Sequence, residues 1–121
     1  MRILVVDDDP FAADMTSAVL EEGGCDAIVV ESVAQAQELL EQDVDFDALV
    51  SDMNMPVASG LDLFRWVRAR GLSMPFILLS GDDADKWLAQ EPEINACVVK
   101  DENLETTLMT AIADVLLPSA S

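Results

Sequence analysis

Five short apolar runs, each followed by a stretch of helical periodicity, restrict what this chain can fold into. The runs fall at 2–6, 25–30, 46–50, 76–79 and 96–99. Apolar runs alternating with amphipathic stretches mark strands of a parallel sheet covered on both faces. After the first run, Pro10 fits the opening turn of a helix, where its missing N–H costs nothing. Apolar residues then recur at Phe11, Met15, Ala18 and Val19 with a helical period, and Gly23-Gly24 end the helix. Ser32 caps a second helix reaching Leu40, with a stripe at Val33, Ala36, Leu39 and Leu40. A third helix is expected over 61–70, stopped by Gly71, with Leu63, Phe64 and Val67 toward the core. Its Arg65, Arg68 and Arg70 form the chain's only basic cluster and read as a solvated face. A short helix over about 84–90 carries Trp87 and Leu88, and a last one over 104–117 repeats Leu104, Leu108, Ala111, Ile112 and Val115 before Pro118.

Strict alternation of five strands and five helices predicts one α/β domain, a doubly wound (βα)5 unit over residues 1–117, with 118–121 a frayed tail or linker stub. Right-handed crossovers favour a five-stranded parallel sheet in the flavodoxin-like order 2-1-3-4-5. That order sets the first and third strands side by side, where ligands and chemistry collect at the strand ends.

Composition narrows the chemistry. Twenty-four acidic residues against six basic ones give a formal net charge of −18, which argues against holding DNA or RNA. It suits a divalent cation or a partner with a basic face. The chain has no histidine, so histidine bases, histidine-activated nucleophiles and histidine zinc ligands are excluded within it. Its two cysteines, Cys25 and Cys97, fall in separate apolar runs and read as reduced thiols in a packed interior. No stretch approaches the ~18 apolar residues of a membrane span, and the start has no cleavage site, so a cytoplasmic location is expected.

Polar groups stand at the ends of four of the five runs. Asp7 and Asp8 follow the first, Asp52 the third, Ser80 the fourth and Lys100 the fifth. Carboxylates gathered in one crevice repel one another, and a hard divalent ion relieves the repulsion. Asp8 and Asp52, with Asp7, are therefore read as Mg²⁺ ligands. A carboxylate is also a nucleophile toward phosphorus, giving an aspartyl phosphate. Such a transfer needs a cation to absorb oxygen charge, for which Lys100 serves, and a hydrogen bond to the phosphoryl group, for which Ser80 serves. Blander readings stand beside these: Asp7-Asp8-Asp9 as a helix-capping cluster, Ser80-Gly81-Asp82-Asp83 as an ordinary turn, Lys100 as a solvated strand end.

These residues together resemble the receiver domain of bacterial two-component response regulators. The resemblance spans essentially the whole chain and rests on Leu4-Val-Val-Asp-Asp8, Asp52-Met-Asn-Met-Pro56 with Gly60, Leu78-Leu79-Ser80-Gly81 and Val98-Val99-Lys100. It implies that Asp52 accepts a phosphoryl group from a histidine kinase or a histidine phosphotransfer protein. It implies that Asp7 and Asp8 hold Mg²⁺, with a backbone carbonyl from Asn54. It implies that Ser80 and Lys100 bind the phosphoryl group, while Asn54 and Asp82 tune its lifetime. A downstream protein partner would then read the change. Two positions depart from the family pattern. Asp101 stands where a cis proline usually follows the lysine, and a cis bond to a non-proline costs about 3–4 kcal/mol, so a trans bond is expected. Cys97 stands where a rotating aromatic belongs, so Ser80 and Cys97 form an altered switch pair.

Two other functions fit parts of the pattern. One is a receiver-like docking module that is never phosphorylated, which the residues at 97 and 101 permit. The other is a phosphatase resembling the haloacid dehalogenases, with Asp7-Asp8-Asp9 as its acidic pair. That reading leaves Asp52 without a role.

Overall fold

The structure is a computed structural model that describes residues 1–43, 45–53, 55, 57–81, 86, 89–91, 93–100 and 102–116, the side chains of 115 and 116 excepted. The chain runs β1 (Arg2–Val6), α1 (Pro10–Glu22), β2 (Asp26–Val30), α2 (Val33–Gln42), β3 (Ala48–Asp52), α3 (Gly60–Ala69), β4 (Phe76–Ser80), β5 (Ala96–Val99) and α4 (Leu104–Leu116). All five strands are parallel and lie in the order β2-β1-β3-β4-β5. The helix expected near 84–90 falls largely outside the described residues, as do Asn54, Asp82 and the peptide bond to Asp101.

Alternation along each strand splits the core into two layers. Leu4, Val6, Leu49 and Leu78 pack with Val33, Ala36 and Leu40 of α2 and Leu63, Phe64 and Val67 of α3. Ile3, Val5, Val50, Ile77 and Leu79 pack on the other face with Leu20 of α1 and Leu108, Ala111 and Ile112 of α4. Burial on both faces explains why β1, β3 and β4 read as unbroken apolar runs, while the edge strands β2 and β5 are partly exposed. β3 starts two residues later than its run and continues through Ser51 to Asp52, all five residues buried. Polar side chains thus extend a strand whose apolar part stops at Val50.

Local chemistry sets the helix starts. Asp9 caps α1 by accepting from the N–H of Phe11 at 3.0 Å, with Pro10 beside it. Ser32 caps α2 through the N–H of Gln35. Ser59 and Asp62 form a reciprocal capping box at α3. The apolar repeat of α1 marks its helical character but not its buried face. Ala13, Thr16 and Leu20 face the sheet, whereas Phe11 and Met15 are 77% and 54% exposed. Small Ala13 and Thr16 let α1 lie close to β1, and the larger groups turn outward.

Arg68 differs from a solvated face, whereas Arg65 and Arg70 keep side chains 57% and 49% exposed. Arg68 is half-buried, donates to the carbonyls of Leu72 and Met74 and to Asn95 Oδ1, and lies 5.0 Å from the Phe64 ring. Asn95 Oδ1 also accepts from the N–H of Phe76, so Arg68 ties the end of α3 to the starts of β4 and β5. Arg65 pairs with Glu91, and Arg70 approaches Glu41 at 3.6 Å. Both cysteines are free thiols; Cys25 precedes β2 and Cys97 lies in β5, on opposite edges of the sheet.

Gly60 opens α3 where helix and strand come closest. A Cβ there would lie 2.5 Å from the Asp52 carbonyl oxygen, 2.7 Å from Leu78 Cδ1 and 3.0 Å from Ser51 Oγ. Backbone on one side and packed core on the other leave no room for it. Gly60→Ala is expected to push α3 off β3 and destabilise the fold by about 1–3 kcal/mol, read as a lower midpoint in urea.

Candidate functional site

The sheet register assembles the site. Val6 pairs with Ser51, so Asp7 stands level with Asp52 one residue further along. Asp52 pairs with Leu79, which places Ser80 one step beyond it, and Ser80 pairs with Val99, which Lys100 follows. Four neighbouring parallel segments thus end within a residue or two of one level, all at the carboxyl edge of the sheet.

Each side chain is held by its surroundings. The N–H of Asp7 donates to the Val30 carbonyl at 3.1 Å, extending the β1–β2 pairing past the strand. Its Oδ1 accepts from the N–H of Asp9 at 3.0 Å, so the residue that caps α1 also orients Asp7. Beyond Asp52, the N–H of Met53 donates to the Leu79 carbonyl at 2.8 Å, and the Gly60 N–H donates to the Met53 carbonyl at 3.1 Å. The Lys100 N–H donates to the Ser80 carbonyl at 2.7 Å.

The charges converge. Asp7 is 1% and Asp52 6% exposed, while Asp8 is open to solvent. One carboxylate oxygen from each of the three lies within 4.8 Å of the others. Lys100 Nζ sits between the two buried acids, 3.0 Å from Asp7 Oδ2 and 3.1 Å from Asp52 Oδ1. Burial is the largest single influence on this ammonium and pulls its pKa down. The hydrogen bonds and charges of Asp7 and Asp52 together outweigh it, and the pKa stands above the ordinary lysine value. Three carboxylates against one ammonium leave the cluster net negative. Clustered carboxylate oxygens suit a hard divalent cation, and an exposed Asp8 leaves one side open for it.

The structure therefore brings Asp7, Asp8, Asp52 and Lys100 together, with Ser80 buried at the end of the adjacent strand. Cys97 lies opposite Leu78 in β5, on the sheet face that carries α2 and α3. Two residues support the site in ways the sequence did not signal. Gly60 entered only as part of the motif that begins at Asp52, although its close approach to the Asp52 backbone lets α3 start there. Asp9 read as a cap, and nothing in its spacing signalled the bond to Asp7.

A doubly wound parallel sheet in the order β2-β1-β3-β4-β5, with an acidic crevice at its switch point, places the chain among the flavodoxin-like α/β proteins. The chain belongs to the response regulator receiver domain family, which matches residues 3–113. It is 33% identical over 105 residues to the chemotaxis protein CheY1 of Helicobacter pylori, covering 83% of this chain and 85% of that one. It is 39% identical over 84 residues to the response regulator PmrA of Pseudomonas aeruginosa, covering 69% of this chain but 37% of PmrA. The chain spans under two fifths of the length of PmrA and of another curated relative it matches. Among solved structures it resembles the response regulator TrrA of Thermotoga maritima in complex with Mg²⁺ and BeF, with a TM-score of 0.85 and 26% identity, covering 95% of this chain and 98% of that one.

Lys100→Met would leave two buried carboxylates facing each other without their cation. The expected loss is about 2 kcal/mol, less than for a fully enclosed pair because the ammonium keeps some contact with water. Urea unfolding of the metal-free variant measures it.

Proposed function

We propose that this receiver domain is a phosphoacceptor switch in which Asp52 takes a phosphoryl group from a histidine kinase or a histidine phosphotransfer protein. The observation that carries the reading is Asp52 at the end of the central strand, with two further carboxylates within 4.8 Å and Lys100 bonded to it. A carboxylate oxygen of Asp52 attacks phosphorus, the new P–O bond forms, and the P–N bond of the phosphohistidine breaks as its imidazole leaves. Mg²⁺, held by Asp7, Asp8 and Asp52, would neutralise charge on the phosphoryl oxygens. Lys100 leaves Asp52 to meet one of those oxygens, and Ser80 donates a hydrogen bond to another. The family resemblance adds the Asn54 carbonyl to the metal set, and the side chains of Asn54 and Asp82 as tuners of phosphoryl lifetime.

Closing of Ser80 and Lys100 on the phosphoryl group would alter the surface read by a downstream protein. Cys97 lacks the bulk of a swinging aromatic, so the movement passes through the backbone rather than a rotating ring. The net charge of −18 supports a protein partner rather than direct DNA contact by this domain. Among the described residues no helix is long and apolar enough to cross a membrane. The two free thiols fit a reducing compartment, and we place the domain in the cytoplasm. Family membership removes the support for a dehalogenase-like phosphatase. The docking-only alternative rests on Cys97 and Asp101 and separates experimentally.

Phosphoramidate with Mg²⁺ is expected to place one acid-labile phosphoryl group per chain, absent in Asp52→Asn. Beryllofluoride is expected to shift tryptophan fluorescence or amide resonances near Asp52. A chain that takes no label and shows no response to beryllofluoride would be the docking module instead.

Mg²⁺ alone tests the acid cluster. At a hundred times its dissociation constant, a ligand that binds only the folded state adds about 2.7 kcal/mol of stability. The melting temperature should therefore rise by several degrees in the wild type and far less in Asp8→Asn. In Lys100→Met the rise should be larger than in the wild type, because the ion then replaces the missing ammonium. A melting curve indifferent to Mg²⁺ in all three proteins would contradict the proposed ligands.

A further inference from the structure

Val57 is at odds with the fold around it. Among the described residues it is the only non-glycine with a positive φ, 72°. A β-branched side chain is poorly suited to that region, because its Cβ crowds the neighbouring carbonyl oxygen. Its side chain is also fully exposed, so no packing offsets the strain. The apolar groups on either side behave differently: Met55 and Ala58 turn inward against the core. Asparagine or glycine at this position would relieve the backbone and remove an apolar group from water. Nothing among the described residues accounts for a valine here.

Its location suggests what does. Val57 lies five residues past Asp52, on the segment that leaves β3 at the carboxyl edge of the sheet. β1 is the neighbouring strand, and the first turn of α1 beyond it carries exposed Phe11. Asp52 itself is only 6% exposed. A phosphohistidine must therefore project from its protein into the crevice, and the surface around it must settle on these loops. We infer that Val57 is a recognition residue for the phosphodonor protein, kept in a strained backbone because its side chain seats against an apolar patch beside the donor histidine. The inference rests on the proposed phosphoacceptor role of Asp52. With this chain at −18, the donor's surface beyond that patch is expected to be basic.

The test separates a small donor from a protein donor. Val57→Asn tolerates a positive φ and should raise the melting temperature by a few degrees. Labelling of Asp52 by phosphoramidate should match the wild type. Phosphotransfer from an autophosphorylated histidine kinase, the fastest toward the wild type in a purified panel, should fall about tenfold in kcat/KM, the worth of one buried valine side chain. Val57→Ile, which keeps both strain and apolar surface, should transfer within about twofold of the wild type. The inference is overturned if Val57→Asn accepts from the kinase as fast as the wild type. Equal losses with kinase and phosphoramidate overturn it as well, because Val57 would then shape the crevice rather than meet the donor. If phosphoramidate labels the wild type but no kinase in the panel does, the inference falls while the phosphoacceptor role stands. Failure of phosphoramidate to label Asp52 at all removes the role itself, and the inference with it.

Discussion

The Lys100 ammonium held between two buried carboxylates is the interaction on which the rest of the site depends. Asp7 and Asp52 end adjacent parallel strands, and the register of those strands leaves neither free to move away from the other. Two ionised groups in that position would repel strongly without a cation. Lys100 supplies one, at 3.0 and 3.1 Å. A single positive charge does not balance three carboxylates, and the open side at Asp8 is where a second cation has access. The folded domain thus holds an excess of negative charge at this edge that a cation would relieve.

The sheet makes this arrangement reproducible from sequence to structure. The central strands, buried on both faces, have no polar alternation, so their ends are abrupt, and four of the five apolar runs stop at a side chain of the candidate site. The order β2-β1-β3-β4-β5 reverses direction between β1 and β3, which sends α1 and α3 to opposite faces and opens the crevice between their loops. Gly60 lets α3 start directly over the Asp52 backbone, and the Ser59–Asp62 capping box fixes that start. Helix capping and site geometry are therefore one problem: the same few residues end a strand, begin a helix and aim a carboxylate.

The strand order and four of the convergent groups were legible because they follow from pattern alone. Apolar runs ending in Asp7, Asp52, Ser80 and Lys100 announce themselves at single-residue precision. Side-chain orientation on helices was less legible. Phe11 and Met15 repeat like a core stripe, yet Ala13 and Thr16 take the inner face because close packing on the sheet favours small groups there. Arg68 reads as solvent-facing until Phe64, Asn95 and two carbonyls are seen around it. Such contacts join α3 to segments far along the chain, and local periodicity carries no information about them. The left-handed backbone of Val57 was likewise invisible, since valine is the residue least expected there.

On the proposed reading, Cys97 bears on how a change at the site would travel through the fold. It packs on the same sheet face as Leu78 and, two residues on, Ser80. A thiol at this place fills little volume, so a shift of Ser80 meets no large side chain that must rotate in response. The connection that remains is a short backbone hydrogen bond: the Ser80 carbonyl accepts from the Lys100 N–H at 2.7 Å. Any displacement of Ser80 toward a phosphoryl oxygen pulls on the backbone of the residue whose ammonium must make the same move. On the proposed reading, the two groups that close on the phosphoryl oxygens are mechanically one unit. The signal would then leave through β5 and the segment before α4, where Lys100 is anchored, rather than through a ring turning in the protein's interior.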